Sequence, residues 1–251
     1  MNLPAYLSEP LARSPLVLVA VQINFEEVGR EVTHSQARQV QRRIGAEWTQ
    51  LQSAPLVQAT MTPGGAVNQP NRQAYRLFTA DSSWSIQLNP DSVTLETSAY
   101  VGWSGFHKKF QDLVIAVTEV FDPSTELRLG LRYVDQVRLP DRHDGWAGLV
   151  PETLLGISRD PQFADGVLAS DQRLLLQLDG EIRCLFRHGL LADDSTGQLG
   201  ALYLLDYDVY RENRSYDADQ IAAGALELHE YVGRLFRASM TNELYGWLKG
   251  E

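Results

Sequence analysis

The sequence predicts an α+β fold in which a large, mainly antiparallel sheet carries its long helices on one face. Three observations predict it. Strand-like segments follow one another with short turn-forming connections, which suits antiparallel pairing. Long stretches place apolar residues at helical spacing before residue 122 and again near the C-terminal end. Residues 127–139 alternate apolar and polar side chains, the pattern of a half-buried strand.

Pro15 introduces a β-branched, apolar strand from Leu16 to Phe25. Thr33 and Gln36 have capping-box spacing, and Ala37, Val40, Ile44, Trp48 and Leu51 then recur at helical spacing, so the helix is expected to run on until Pro55. Leu56 to Met61 reads as a short strand and Thr62 to Asn71 as a flexible loop. A meander should follow, with strands near 74–79, 84–88 and 92–97 joined by Asp81-Ser82-Ser83 and Asn89-Pro90-Asp91. Phe106, Phe110, Leu113, Val114, Val117 and Phe121 form one helical face that stops at Asp122-Pro123.

In the strand at 127–139, Leu127, Leu129, Leu131, Tyr133, Val137 and Leu139 share a face with one polar intruder, Asp135. A carboxylate there calls for a bulge, for a cation or several donors, or for a role in a site. Beyond the loop Asp141 to Gly145 come a short helix near Pro151 to Leu155 and strands near 168–178, 182–188 and 199–210. The turn at Asp179-Gly180 permits two pairings, and burial favours the one that sets Leu178, Leu176 and Leu174 against Ile182, Cys184 and Phe186. Cys184 is then a core residue. One long helix should open at Asp217, with Gln220 in its capping box, and run through Ile221, Leu228, Val232, Met240 and Leu244 to Trp247. Element order thus suggests a single globular domain, 1–251, with two pseudo-equivalent β-α-β(n)-α halves at 15–122 and 127–249.

With 251 residues, 44% of them hydrophobic, the chain can bury a full core. A formal charge of −10 disfavours nucleic acid as a partner and offers nothing general to an anionic membrane. The single cysteine excludes an intramolecular disulfide and fits a reducing compartment. Met1-Asn2-Leu3-Pro4 lacks a basic leader, and no apolar run approaches about 18 residues, so a cytoplasmic protein without a membrane span is expected.

No catalytic motif stands out, and no cofactor is expected. Gly102-Trp103-Ser104-Gly105 lacks the spacing of a nucleophile elbow, and Gly64-Gly65 is not followed by the lysine and hydroxyl of a phosphate loop. The five histidines are scattered, and His229, beside an apolar helical stripe, reads as a hydrogen-bonded structural residue. Asp206 and Asp208 point the same way on a strand, roughly 7 Å apart, as the ligands of a magnesium ion would or as a solvated face would. Arg211 and Arg214 are near enough in sequence to neutralise them. Aromatic residues gather at Tyr100, Trp103 and Phe106 and at Tyr207, Tyr210 and Tyr216. The candidate binding residues are therefore Asp135, Arg132, Asp206, Asp208, Tyr210 and Trp103.

The strand from Pro15 to Phe25, the Tyr100-x-x-Trp103-x-x-Phe106 step, the Arg128-Leu129-Gly130-Leu131-Arg132-Tyr133-Val134-Asp135 segment and the closing Leu228-His229…Phe236…Thr241…Trp247 pattern resemble a sporadically distributed family of uncharacterised bacterial proteins of similar length. The resemblance spans the whole chain and departs from the family at Asp135, where asparagine is common. It brings no activity, cofactor or catalytic residue, and its patchy distribution implies a gene that travels with mobile or conflict systems. Function then reads as a non-enzymatic binding or adaptor protein with an unknown protein partner. A metal-dependent hydrolase or nuclease centred on Asp206 and Asp208 is the alternative.

Overall fold

The structure is a computed structural model that describes residues 1–6, 9–29, 31–56, 59–62, 65–68, 72–138, 145–192 and 200–251, with the backbone alone for those of 54–72. Its strands are β1 (Leu16–Phe25), β2 (Gln50–Leu56), β3 (Ala59–Thr62), β4 (Gly65–Asn68), β5 (Arg72–Phe78), β6 (Trp84–Asn89), β7 (Ser92–Thr97), β8 (Thr125–Arg138), β9 (Gln172–Asp179), β10 (Ile182–Leu191) and β11 (Leu202–Ser215). Its helices are α1 (His34–Ile44), α2 (Trp103–Phe121), α3 (Glu152–Leu155), α4 (Ala218–Ala238) and α5 (Asn242–Lys249). Nine strands make one mainly antiparallel sheet in the order β2-β5-β6-β7-β1-β8-β11-β10-β9, and β3 pairs with β4 separately. The order reads alike outward from β1, through β7, β6 and β5, and outward from β8, through β11, β10 and β9. No described helix is long and apolar enough to cross a membrane.

The chain groups into two compact units, Met1–Val19 with Leu131–Arg211 and Glu227–Glu251, and Ala20–Gly130 with Glu212–Leu226. In the second unit the meander sets Leu77 beside Ile86 and Ile86 beside Leu95, an apolar row from adjacent strands. Helices α1 and α2 cover that face, as the Trp84–Phe106 and His34–Tyr75 ring contacts at 5.7 and 5.9 Å show. In the first unit Tyr133, Tyr207, Phe186 and Cys184 are buried on the face that α4 covers with Leu228, Val232 and Leu235. Each such aliphatic side chain contributes about 1.5–3 kcal/mol on leaving water.

Several boundaries differ from the sequence pattern, each for a local reason. Helix α1 stops at Gly45, whose φ of 116° lies outside helical space, although Thr33 and Gln36 do form the capping box. Trp48 is nevertheless buried and Leu51 of β2 pairs with the buried Leu77 of β5, so both extend the apolar stripe from outside the helix. Part of the expected 62–71 loop is strand β4, while residues 63, 64 and 69–71 lie outside the described residues, as do Leu139 and Asp141 to Asp144. The C-terminal helix is two helices. Thr241 caps the second by accepting from Leu244 N at 3.3 Å, and its hydroxyl donates to Gly148 O at 2.6 Å.

The β9–β10 hairpin combines both pairings considered. Asp179 pairs with Ile182 around a two-residue turn, and a bulge next to it shifts the register so that Leu176 meets Cys184 and Leu174 meets Phe186. Burial thus sets the strand and the turn sets only its end. In β8 the buried face runs unbroken through Leu129, Leu131, Tyr133, Asp135 and Val137, so no bulge relieves Asp135. The phase changes at the other end of β8 instead, where Glu126 is buried and Leu127, expected inside, is 41% exposed.

Candidate functional site

The sequence-predicted residues fall in three places. Arg132, Asp206, Asp208 and Tyr210 share the sheet face away from α4, Asp135 lies on the face beneath α4, and Trp103 belongs to the other unit. There Trp103 stacks on His107 at 5.1 Å as α2 begins, which is a packing role.

On the outer face, β8 and β11 bring Arg132 and Asp206 together. Arg132 donates from Nε to Asp206 Oδ1 at 2.8 Å and from Nη2 to Oδ2 at 2.7 Å, a two-point pair that raises the guanidinium pKa further. Arg187 on β10 is the cross-strand neighbour of Asp206 and donates to both oxygens of Asp171, at 2.8 and 3.1 Å. Charges therefore alternate Arg132, Asp206, Arg187, Asp171, and Arg187 holds the Asp171 carboxyl below its usual range. Two residues along, Leu185 pairs with Leu175 of β9, and both are open to solvent at 45% and 66% exposure. Asp206 thus takes its cation from β8 rather than from Arg211 or Arg214. Arg211 is buried at the opposite parity of β11, where its side chain leaves the strand on the other face.

Beneath α4 the cation expected beside Asp135 is absent among the described residues. Burial, reinforced by the Asp206 carboxylate, pushes Asp135 up to about 8, so at neutral pH it is largely a neutral acid. Tyr207 lies within its electrostatic reach, and burial likewise raises that phenol. The buried Tyr207 hydroxyl lies beside Ser239, whose own hydroxyl donates to Leu235 O at 2.8 Å and keeps its lone pairs turned to the phenol. Cys184 is in the same layer, and burial pushes its thiol up, so it is a poor nucleophile. With no solvent-facing member, the cluster can hold a proton but cannot present it to a substrate.

Two histidines are fixed nearby. His188 Nδ1 lies 3.0 Å from Tyr203 OH, which itself donates to Leu154 O at 3.2 Å. The single phenolic proton being spent there, the neutral imidazole, its pKa lowered by burial, donates from Nδ1. His229 of α4 bridges Tyr6 OH at Nε2, 2.8 Å, and Tyr133 OH at Nδ1, 3.0 Å, which is the structural role its position suggests. The sequence pattern overlooked Tyr6, which lies in an unpatterned segment, and Asp171, which precedes its strand by one residue. Neither carried a periodic signal.

Compared with protein-family models and with curated proteins, the chain matches none.

Proposed function

We propose that the protein acts as a binding or adaptor protein, and that its partner is a protein seated on the outer face of β8, β11, β10 and β9 in the first unit. The observation that carries this reading is the solvent-open Leu175/Leu185 pair bordered by the Arg187–Asp171 and Arg132–Asp206 ion pairs. An apolar centre with a charged rim is the composition of a protein interface. A metal-dependent hydrolase centred on Asp206 and Asp208 draws less support, because Arg132 already spends both Asp206 oxygens. The resemblance to the sporadically distributed family supports a setting in mobile or conflict systems.

The test is co-purification from the native host with wild-type protein and with Leu175→Glu/Leu185→Glu. One partner at fixed stoichiometry, lost in the double variant while its melting temperature is unchanged, supports the reading. A partner retained by the variant, or none captured by wild type, overturns it.

A further inference from the structure

In the second unit, α1 and the segment that follows it line a shallow recess of about 560 Å³, with Arg38, Gln41 and Arg42 from the helix and Gly45, Ala46 and Trp48 from beyond its end. Arg38 and Arg42 are four residues apart and so share one helix face, a like-charge arrangement unfavourable by itself. The acidic groups close by are engaged elsewhere: Glu119 takes Arg43 at 2.6 Å, and Glu47 takes Lys109. Neither Arg38 nor Arg42 meets a carboxylate among the described residues.

Arg38 is nonetheless held in place. Its Nη1 donates to Gln41 Oε1 at 2.9 Å, and the buried Gln41 amide is locked in turn by donating to Trp48 O at 2.5 Å. At Gly45, where the helix ends, nothing lies within 4 Å of the space a Cβ would take, so the recess is open on that side.

We infer that this recess binds the phosphoryl group of a small phosphate ester between Arg38 and Arg42. Each guanidinium is a planar fork that fits two oxygens. One fork saturates a carboxylate, whereas a phosphoryl group has three terminal oxygens and can engage two forks at once. The volume exceeds what a bare phosphate needs and is within the range of small-molecule sites. The site is separate from the outer face proposed for a protein partner and does not depend on it.

The experiment is calorimetric titration of the full chain with phenyl phosphate, inorganic phosphate and benzoate. Phenyl phosphate should bind saturably at one site. Arg42→Gln, which removes a side chain with no partner among the described residues, should weaken that binding at least tenfold without moving the melting temperature, and Arg38→Gln should weaken it similarly. Inorganic phosphate that binds as tightly as phenyl phosphate identifies free phosphate as the ligand, and weaker binding identifies an ester. No saturation by either phosphate, benzoate binding as tightly as phenyl phosphate, or an Arg42→Gln protein that binds like wild type overturns the inference.

Discussion

Arg132 and Asp206 form an unequal pair: the Asp206 side chain is only 7% exposed, whereas that of Arg132 is 48% exposed. Removing one partner is therefore not equivalent to removing the other. Arg132→Ala leaves a covered carboxylate without its two-point donor and should cost about 2 kcal/mol, less than the ~3–5 kcal/mol of breaking a fully buried pair, because Arg187 stays adjacent. Asp206→Ala leaves a guanidinium that water already reaches, and should cost about 1 kcal/mol or less. Chemical denaturation of the two variants measures the difference, and equal losses would show that the exposed end matters as much as the covered one.

Asp135 makes stability depend on pH in a direction opposite to that of a salt-bridged aspartate. Its folded pKa of about 8 is above the ~3.9 of an unfolded chain, so the folded state holds a proton that the unfolded state releases. Its stabilising contribution is full below about pH 4, falls by about 1.4 kcal/mol per pH unit at most as pH rises, and levels off above about pH 8. Asp135→Asn keeps an acceptor oxygen, carries no titrating proton, and should melt higher than wild type at pH 8 while losing that advantage at pH 4. Parallel melting curves for the two proteins across this range would exclude the buried neutral acid.

Gly233 lies in α4 with the Tyr6 ring packed on it, so that a Cβ there would overlap the ring carbons. Alanine in place of a helical glycine ordinarily stabilises by about 1 kcal/mol. Gly233→Ala should instead destabilise, because the methyl group expels the ring and breaks the Tyr6–His229 hydrogen bond. In a Tyr6→Ala background the same substitution should become stabilising, a sign change that thermal melts can read. Failure of the sign to change would place the penalty somewhere other than the ring contact.

Periodicity located nearly every element here, because burial of one face dictates which residues alternate. It failed where a second segment continues an apolar stripe after the helix has ended: Trp48 and Leu51 extend the stripe of α1, and Met240 and Leu244 that of α4, yet glycine geometry at 45 and a threonine cap at 241 break the chain between. The outer face was legible only in part. Asp206 and Asp208 were visible as a pair, but Arg132 is 74 residues away from Asp206, and only the strand order that puts β8 beside β11 makes it the partner. Asp135 was visible as an intruder and its inward direction followed from parity. That no cation meets it among the described residues was not legible, since pairing depends on what neighbouring strands and helices bring. Duplication of residues 15–122 and 127–249 is our proposal, supported by the like strand order on either side of β1 and β8.

That order also sets where the backbone can be severed. A cut in the three residues between α2 and β8, Asp122 to Ser124, leaves one piece with the contiguous strands β2-β5-β6-β7-β1 and the other with β8-β11-β10-β9. Within the large sheet, the two polypeptides would meet along one ladder, β1 against β8, while the Tyr6–His229 hydrogen bond would tie them a second time away from the sheet.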